Sequence, residues 1–555
     1  MISLSELILL ARPVVEERIG PVVSPFPAYT LFFSICDGRS RARVLHVSAD
    51  RFEACWTQGA AQLQRLAKRD RIPVKWLRVD FVRAVEPMNR AELDHRLART
   101  KRNYFRHGIA FDPKFCTAFL EQELNANAML YAGAGVPNAK LNERNFRIYA
   151  SARFGEDYDL SFDLSASVCL FSTEGVFCSS EGEVHPLTGP GVDTGRRQVP
   201  KLSPSDVKRL IEDGSRYLAR QVTKSGRFIY GNHPCFDRRI DTYNVLRHAS
   251  TTYSMIEAWE VTRDERLKRA IDRALDFLVS KLVRKIAAGG DQVFAFVVDV
   301  GDEVKLGANA VAILALTKYA EVTGTTAHDA LLEQLALGIG HMQDPDSGRF
   351  HHVLNASDLS VKESFRVIYY DGEAAFGLMR LYGHTQDPRW LEIVEKAFEY
   401  FSQQGHETAH DHWLSYCVNE LTRYRPEERY FRFGLRNFSG YLDFVLTRET
   451  TFPTLLELMM AAEAMLRRVR DIPEMQNLLD EVDLKKFYRA LEFRAHHLLN
   501  GHFWPEFAMF FKNPDRIVGS FFIRHQAFRV RIDDVEHYLS GFIAYRNYLL
   551  RGDFQ

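Results

Sequence analysis

Four short stretches of this chain put acids, imidazoles and guanidinium groups where helices should begin: TYNVLRH (Tyr243, Asn244, Arg247, His248), YYDGE (Tyr370, Asp371, Glu373), HDHW (His410, Asp411, His412, Trp413) and RIDDVEH (Arg531, Asp533, Asp534, His537). Asn309 and Glu457 stand near the starts of otherwise apolar runs. Residues three and four apart share a helix face, so Asp533 and Asp534 fall beside His537, and Asn244 and Arg247 fall with His248. A carboxylate beside an imidazole fixes its tautomer and raises its pKa, as general acid/base chemistry requires. His412, Asp411, Asp534, His537, Asp371 and Glu373 are therefore the candidate proton donors and acceptors. Asn244, Arg247, His248, Asn309, Tyr370, Trp413, Glu457, Arg531 and Asp533 are candidate substrate-binding groups, and the planar forks of Arg247 and Arg531 suit a carboxylate. Helix capping accounts for Asp411, Asp533 or Asp534 taken singly. It leaves Arg247, His248, His412 and Arg531 unexplained, because positive charge is unfavourable at a helix start.

Other chemistries find little support. The pairs His410/His412 and His351/His352 offer imidazoles, but no HExxH or Cys-rich spacing accompanies them, so we expect no metal. GxGxxG and P-loop patterns are absent, GAGVPNAKLNE from Gly133 is only a glycine-containing loop, and no cofactor is implied. KRNYFRHG from Lys101 mixes bases and aromatics and reads as a solvated face or strand. Seven scattered cysteines argue against a disulfide framework. The 72 basic residues balance the 72 acidic ones, which disfavours nucleic acid as a partner. Glu6 interrupts the apolar start MISLSELILLARPVVEER, and no apolar run is long enough to cross a bilayer, so we expect neither a signal peptide nor membrane insertion, and a cytoplasmic location.

Positioning these groups falls to the second part of the chain. Residues 1–199 alternate β-rich runs (YTLFFSIC, ARVLHVSA, VKWLRVDFV) with helical stretches near Arg51, Asn89 and Lys114 and then a strand-rich segment, which predicts an α/β or α+β domain. LTGPGVDTGRRQVPK lacks periodicity and is the expected linker, with the boundary near Val199. From there to residue 555 we expect twelve helices, starting near Ser203, Thr242, Asp264, Lys305, Ala327, Tyr370, Pro388, Asp411, Glu427, Thr454, Glu474 and Asp534. Amphipathic helices such as RLKRAIDRALDFLVSKLV alternate with helices apolar nearly all round such as LGANAVAILALTKYAEV. That alternation suits an outer ring around an inner ring. Spacing between successive inner helices runs from about 40 to about 77 residues, too variable for a helical solenoid.

GRFIYG, TYNVLRHASTTYSMIEAW, KLGANAVAILALTKYAEVTG, MQDPDSGRF, YYDGEAAFGLMRLYGHTQD and HDHWLSYCVNEL resemble the six-hairpin (α/α)6 toroids of carbohydrate-active enzymes. These include unsaturated glucuronyl hydrolases, N-acylglucosamine-type 2-epimerases and glucuronyl C5-epimerases, and the resemblance covers about residues 203–551. It implies an all-α toroid with a funnel at one mouth and leaves residues 1–199 uncovered, so that we expect a multidomain chain, an N-terminal α/β or α+β domain followed by the toroid. It also implies action on an acidic saccharide, with Arg247 and Arg531 pairing its carboxylate. Epimerases of this kind use histidines near the eighth and twelfth helices, which points to His412 and to His537 or His525; the hydrolases use inner-helix aspartates, which points to Asp371 and Asp411. The alternative is a non-catalytic scaffold of surface-polymer biosynthesis, with a protein partner on the N-terminal domain.

Overall fold

The computed structural model describes residues 2–155, 160–289 and 292–552. The N-terminal unit runs α1 (Leu4–Arg18), β1 (Tyr29–Cys36), β2 (Arg43–Ala49), α2 (Phe52–Arg69), β3 (Trp76–Asn89), α3 (Arg90–Ala98), β4 (Gly108–Ala110), β5 (Ala118–Phe119), α4 (Glu121–Ala126), α5 (Glu143–Phe154), β6 (Ser167–Ser179) and β7 (Val184–Leu187). Its strands make one sheet in the order β2-β1-β3-β6-β4-β5, with β7 on β6. Every pairing is antiparallel, so the unit is α+β. Strand side chains alternate faces. Leu31, Phe33 and Ile35 of β1 pack with residues of α1 and α2, while Phe32 and Cys36 enter a core that continues into the rest of the chain. The helix expected near Lys114 is absent. Asp112 accepts from the backbone N–H groups of Lys114, Cys116 and Thr117 at 2.9, 3.0 and 2.9 Å, and such local bonds favour a turn over a helix. All seven cysteines are free thiols, six of them buried.

The second unit runs α6 (Pro204–Gln221), β8 (Gly231–His233), β9 (Arg238–Arg239), α7 (Val245–Thr262), α8 (Glu265–Phe277), β10 (Val283–Gly289), β11 (Gln292–Asp299), β12 (Glu303–Lys305), α9 (Leu306–Thr323), α10 (Asp329–His341), β13 (Val353–Asn355), β14 (Val361–Glu363) and α11 (Tyr369–Thr385). It continues with α12 (Pro388–Gln404), α13 (His412–Tyr424), α14 (Glu428–Ser439), α15 (Leu442–Thr447), α16 (Thr454–Asp471), α17 (Leu484–His497), α18 (Pro505–Ala508), α19 (Pro514–Ile517), β15 (Val530–Arg531) and α20 (Ile532–Arg551). Helices α7, α9, α11, α13, α16 and α20 each pack on the next, and α20 packs back on α7, which closes the inner ring. Helices α6, α8, α10, α12, α14 and α17 lie outside. Burial explains the split: α9 is buried continuously from Leu306 to Lys318, whereas α8 buries only the stripe Leu267, Ala270, Ile271, Ala274 and Leu275. This is the (α/α)6 toroid. No helix among the described residues is long and apolar enough to cross a membrane.

Two helix expectations need correction. The eleventh helix starts at Leu484 rather than near Glu474, because Pro473–Glu481 forms a 3-10 segment that ends before the Asp483 cap. RLKRAIDRALDFLVSKLV is α-helical to Phe277, continues as a π-helical turn over Leu278–Leu282 and then feeds β10, the first strand of a five-stranded sheet, β10-β11-β12-β13-β14, that helical periodicity concealed.

The expected linker is a pinned strap. Arg197, at its centre, makes a bidentate ion pair with Glu506 on α18 at 2.9 and 2.8 Å. Arg78 on β3 holds Asp80 at 2.8 and 2.7 Å and donates to the carbonyls of Gly195 and Glu506 at 2.9 and 2.7 Å. Sheet, strap and toroid thus meet in one dry charge network, and the N-terminal unit is not independent of the ring. Burial alone would raise the Glu506 carboxyl, but Arg197 holds it down to about 2. Because that pKa lies below the ordinary value of 4.5, the pair contributes fully above pH 4.5 and its contribution is lost as pH falls towards 2. Removing one partner of such a pair costs ~3–5 kcal/mol. Urea denaturation of Glu506→Gln should show a loss of that order at pH 7, with the gap to wild type narrowing as pH drops from 5 to 3.

Candidate active site

The N-termini of the inner helices open onto a funnel-shaped cavity of about 500 Å³. Asn244, Arg247, Tyr370, Glu373, Asp411, His412, Trp413, Arg531, Asp533, Asp534 and His537 line it. His412 opens α13 behind the capping Asp411, whose Oδ1 accepts from Leu414 N at 3.0 Å and whose Oδ2 lies 3.4 Å from His412 Nδ1. His412 Nε2 is buried and has no hydrogen-bond partner among the described residues. The ring therefore has one nitrogen facing a carboxylate and the other without a partner among the described residues.

His537, one turn into α20, meets the His412 ring edge to face, with centroids 5.3 Å apart. Its Nδ1 donates to Glu457 Oε2 at 2.8 Å and lies 3.7 Å from Glu536 Oε1. Burial opposes the imidazolium, but Glu536 and Glu457 outweigh it and raise His537 to about 10. Burial in turn pushes Glu536 up to about 7. Glu373 is raised well above the carboxylate range by burial and by the neighbouring Asp411 and Glu536, and its Oε2 has no partner among the described residues. One glycine makes room for it, and a second lets α11 approach α13. A Cβ at Gly307 would sit 1.9 Å from Glu373 Oε2, and one at Gly372 would sit 2.6 Å from Leu414 N, so α9, α11 and α13 converge here only because both positions lack side chains.

The arginines are already engaged. Arg247 Nε lies 3.1 Å from Asp533, and Arg531 Nη2 lies 2.8 Å from Asp533 and 3.3 Å from Asp534. Arg529 grips Asp534 at 3.1 and 2.9 Å. Burial would raise Asp534, but Arg529 and Arg531 bring it below its ordinary value, so it acts as an anchor and cap, not as a proton donor.

Four expected site residues lie outside the cavity lining. His248 turns outward to the Ala274 carbonyl at 2.9 Å and to Tyr243 at 2.8 Å, and burial lowers it to about 4. Adjacent residues point about 100° apart on a helix, so Arg247 and His248 cannot share a target. Asn309 is buried behind the cavity, accepting from Val297 N at 2.7 Å and donating to the Ala295 carbonyl at 3.0 Å, which ties α9 to β11. Asp371 is buried beside His352, 3.3 Å away. Glu457 stands one layer back, behind His537. The sequence reading did not contain Glu536, Arg529 or the aromatic wall of Tyr369, Tyr441 and Phe452. An acid inside the apolar helix α20 was the available signal for Glu536, obscured by its louder neighbours Asp533 and Asp534.

His412, Glu457 and His537 bring potential ligand atoms within 4.8 Å of one another, a spacing that could gather around a divalent ion. The facing Glu457 oxygen and His537 nitrogen are already bonded to each other, so the arrangement is complete as a proton-sharing pair.

No protein-family model matches the chain, and no curated protein matches it in sequence. Among solved structures the chain is similar to a D-mannose isomerase (12% identity, TM-score 0.47, 63% of this chain and 98% of that one). It is also similar to the cellobiose 2-epimerase from Bacillus thermoamylovorans B4167 (10%, 0.47, 62% and 99%) and to the GH76A alpha-1,6-mannanase from Salegentibacter sp. HEL1_6 (12%, 0.43, 62% and 100%).

If Glu457 and Glu536 hold the His537 proton, nitrogen-15 NMR should find that ring still an imidazolium at pH 9. In Glu457→Gln its pKa should fall towards the ordinary 6.5. An unchanged titration in that variant would show that the pair does not tune the ring.

Proposed function

We propose that this protein is a carbohydrate isomerase or epimerase that moves a proton at the carbon next to a sugar carbonyl. The observation that carries the reading is the pair of facing imidazoles on α13 and α20, one with an unpartnered buried ring nitrogen and the other held as a cation by its carboxylate neighbours. His412 Nε2 takes the α-proton, and the carbonyl oxygen receives one from His537. The resulting enediol collapses when carbon regains a proton and an enediol hydroxyl gives one back to His537: protonation of the former carbonyl carbon produces the isomer, and protonation of the original carbon from its opposite face produces the epimer. Glu373, kept protonated by its surroundings, donates a hydrogen bond to a substrate oxygen. The aromatic wall offers faces for the apolar side of a sugar ring. A cavity of this size falls in the range of small-ligand sites.

Arg247 and Arg531 are neutralised by Asp533 and Asp534, so we read the substrate as a neutral, hydroxylated sugar rather than a uronic acid. An acidic group would have to displace an existing carboxylate, whereas hydroxyls can bridge the lattice without disrupting it.

The test is to incubate the protein with aldoses, ketoses and their disaccharides in D₂O and follow deuterium at the carbon beside the carbonyl by NMR. Positioned acid/base groups supply ~10²–10⁴-fold in rate. His412→Gln and His537→Gln should each lose that much exchange, with melting temperatures within a few degrees of wild type. Binding without exchange would support a scaffold instead, and release of a free sugar from a glycoside without exchange would support hydrolysis.

A further inference from the structure

Part of the funnel wall is the loop 523–529, which contributes Ile523, His525, Gln526 and Arg529 to the cavity lining. Two successive non-glycine residues in it, Ala527 and Phe528, are left-handed, with φ of 55° and 54°. Side chains disfavour that conformation, so the surroundings must impose it. Much of the imposing comes from the N-terminal unit. Arg102 Nε donates to the His525 carbonyl at 2.7 Å, Asn103 Nδ2 to the Arg524 carbonyl at 2.7 Å, and Arg524 Nη1 returns a bond to the Asn103 carbonyl at 3.2 Å.

The donors are themselves fixed. Arg102 Nη1 reaches the carbonyls of Gly133, Ala134 and Val136 at 3.0, 2.7 and 3.0 Å, so the KRNY turn and the GAGVPN loop form one rigid bracket. From the far end of the wall, Arg529 clamps Asp534 on the first turn of α20, three residues before His537.

We propose that the turn 101–104 is a positioning element of the cavity. Arg102 and Asn103 hold the wall loop so that Arg529 keeps the start of α20, and with it His537, in register with His412. The N-terminal unit then serves as a built-in part of the site, and the two motifs that carried no chemistry of their own acquire a mechanical role. The kinetic part of this inference rests on the proton-transfer function proposed above. The structural part does not.

Three measurements on the full chain decide it. In Arg102→Ala, hydrogen exchange followed by mass spectrometry should accelerate in peptides covering 523–534 and stay unchanged in α9 and α11. The His537 ring should lose its raised pKa in the NMR titration as its contact with Glu457 loosens. On a sugar that undergoes exchange, kcat should fall ~10–10²-fold with KM shifted much less, because misplacing a reacting group by about 1 Å costs ~10²-fold. Asn103→Ala, a smaller lesion, should give the same pattern more weakly and keeps the test open if Arg102→Ala folds poorly. Arg102→Lys, which keeps the charge but lacks the planar fork, should not restore the wild-type pattern. A lower melting temperature with unchanged wall exchange and an unchanged His537 titration would overturn the proposal, leaving an ordinary interface contact. If no sugar turns over, the exchange and titration data still decide the positioning role while the enzymatic reading falls separately.

Discussion

The closed inner ring is the constraint from which the rest of the structure follows. Six helices packed side by side in a circle have no face left for water, so their polar residues can lie only at the two ends or pair among themselves. At one end the ring is locked by ion pairs: Lys318 with Glu260 and Glu321, Arg380 with Glu321, and Arg551 with Glu463. At the other end the helix starts spread around a cavity, and the same low-dielectric surroundings make every charge there felt by its neighbours. One end of the ring is thereby a seal and the other an open mouth lined by charged groups.

How much of this is visible in sequence depends on whether a feature is local. Strand β1 coincides with YTLFFSIC, and α12 and α16 begin at Pro388 and Thr454 as their patterns require, because a cap or a period is written within a few residues. His412, His537, Arg247 and Glu373 reach a common cavity because ring closure brings inner-helix starts together. The misplacements of His248, Asp371 and Asn309 have the opposite origin. Each lies within a few residues of a lining residue or helix start, and only the neighbouring helix or strand decides which way it faces: Ala274 for His248, His352 for Asp371, Ala295 and Val297 for Asn309. The sheet β10–β14 was hidden for a related reason, since its pairing partners include Glu303 and Asn355, about fifty residues apart along the chain.

The sheet unit illustrates how a domain boundary in sequence need not be a boundary in packing. The strap around Arg196 and Arg197 has the glycine and proline content of a linker, yet Arg197 and Glu506 form a buried pair that no solvated linker could support. Nearby, Arg524 is buried among the rings of Tyr104, Phe507, Phe522 and Phe528, with Glu121 3.5 Å away as its counter-charge. Cation–π contacts and a distant carboxylate are weak compensation for desolvating a guanidinium, and burial accordingly lowers its pKa to about 10. Such groups are tolerated where they fix one arrangement of two units, and Arg524 lies next to the residue whose carbonyl Arg102 holds.

The protonation pattern of the mouth gives the strongest argument that it is a reactive site and not merely a capped set of helix ends. Capping is served by an acid held below its ordinary pKa, as Asp534 is, and it has no use for a carboxyl pushed well above it. The Glu373 carboxyl is raised well above its ordinary range because burial and the adjacent Asp411 and Glu536 disfavour another charge, and it lies in a space that Gly307 keeps open for it. A carboxyl raised well above its ordinary range, a second raised to about 7, an imidazole raised to about 10 and an imidazole whose buried Nε2 has no partner among the described residues line one cavity. Stability alone would favour replacing such a set with apolar side chains. Groups whose pKa values are driven apart by their surroundings are instead the arrangement that lets one donate a proton while another accepts it.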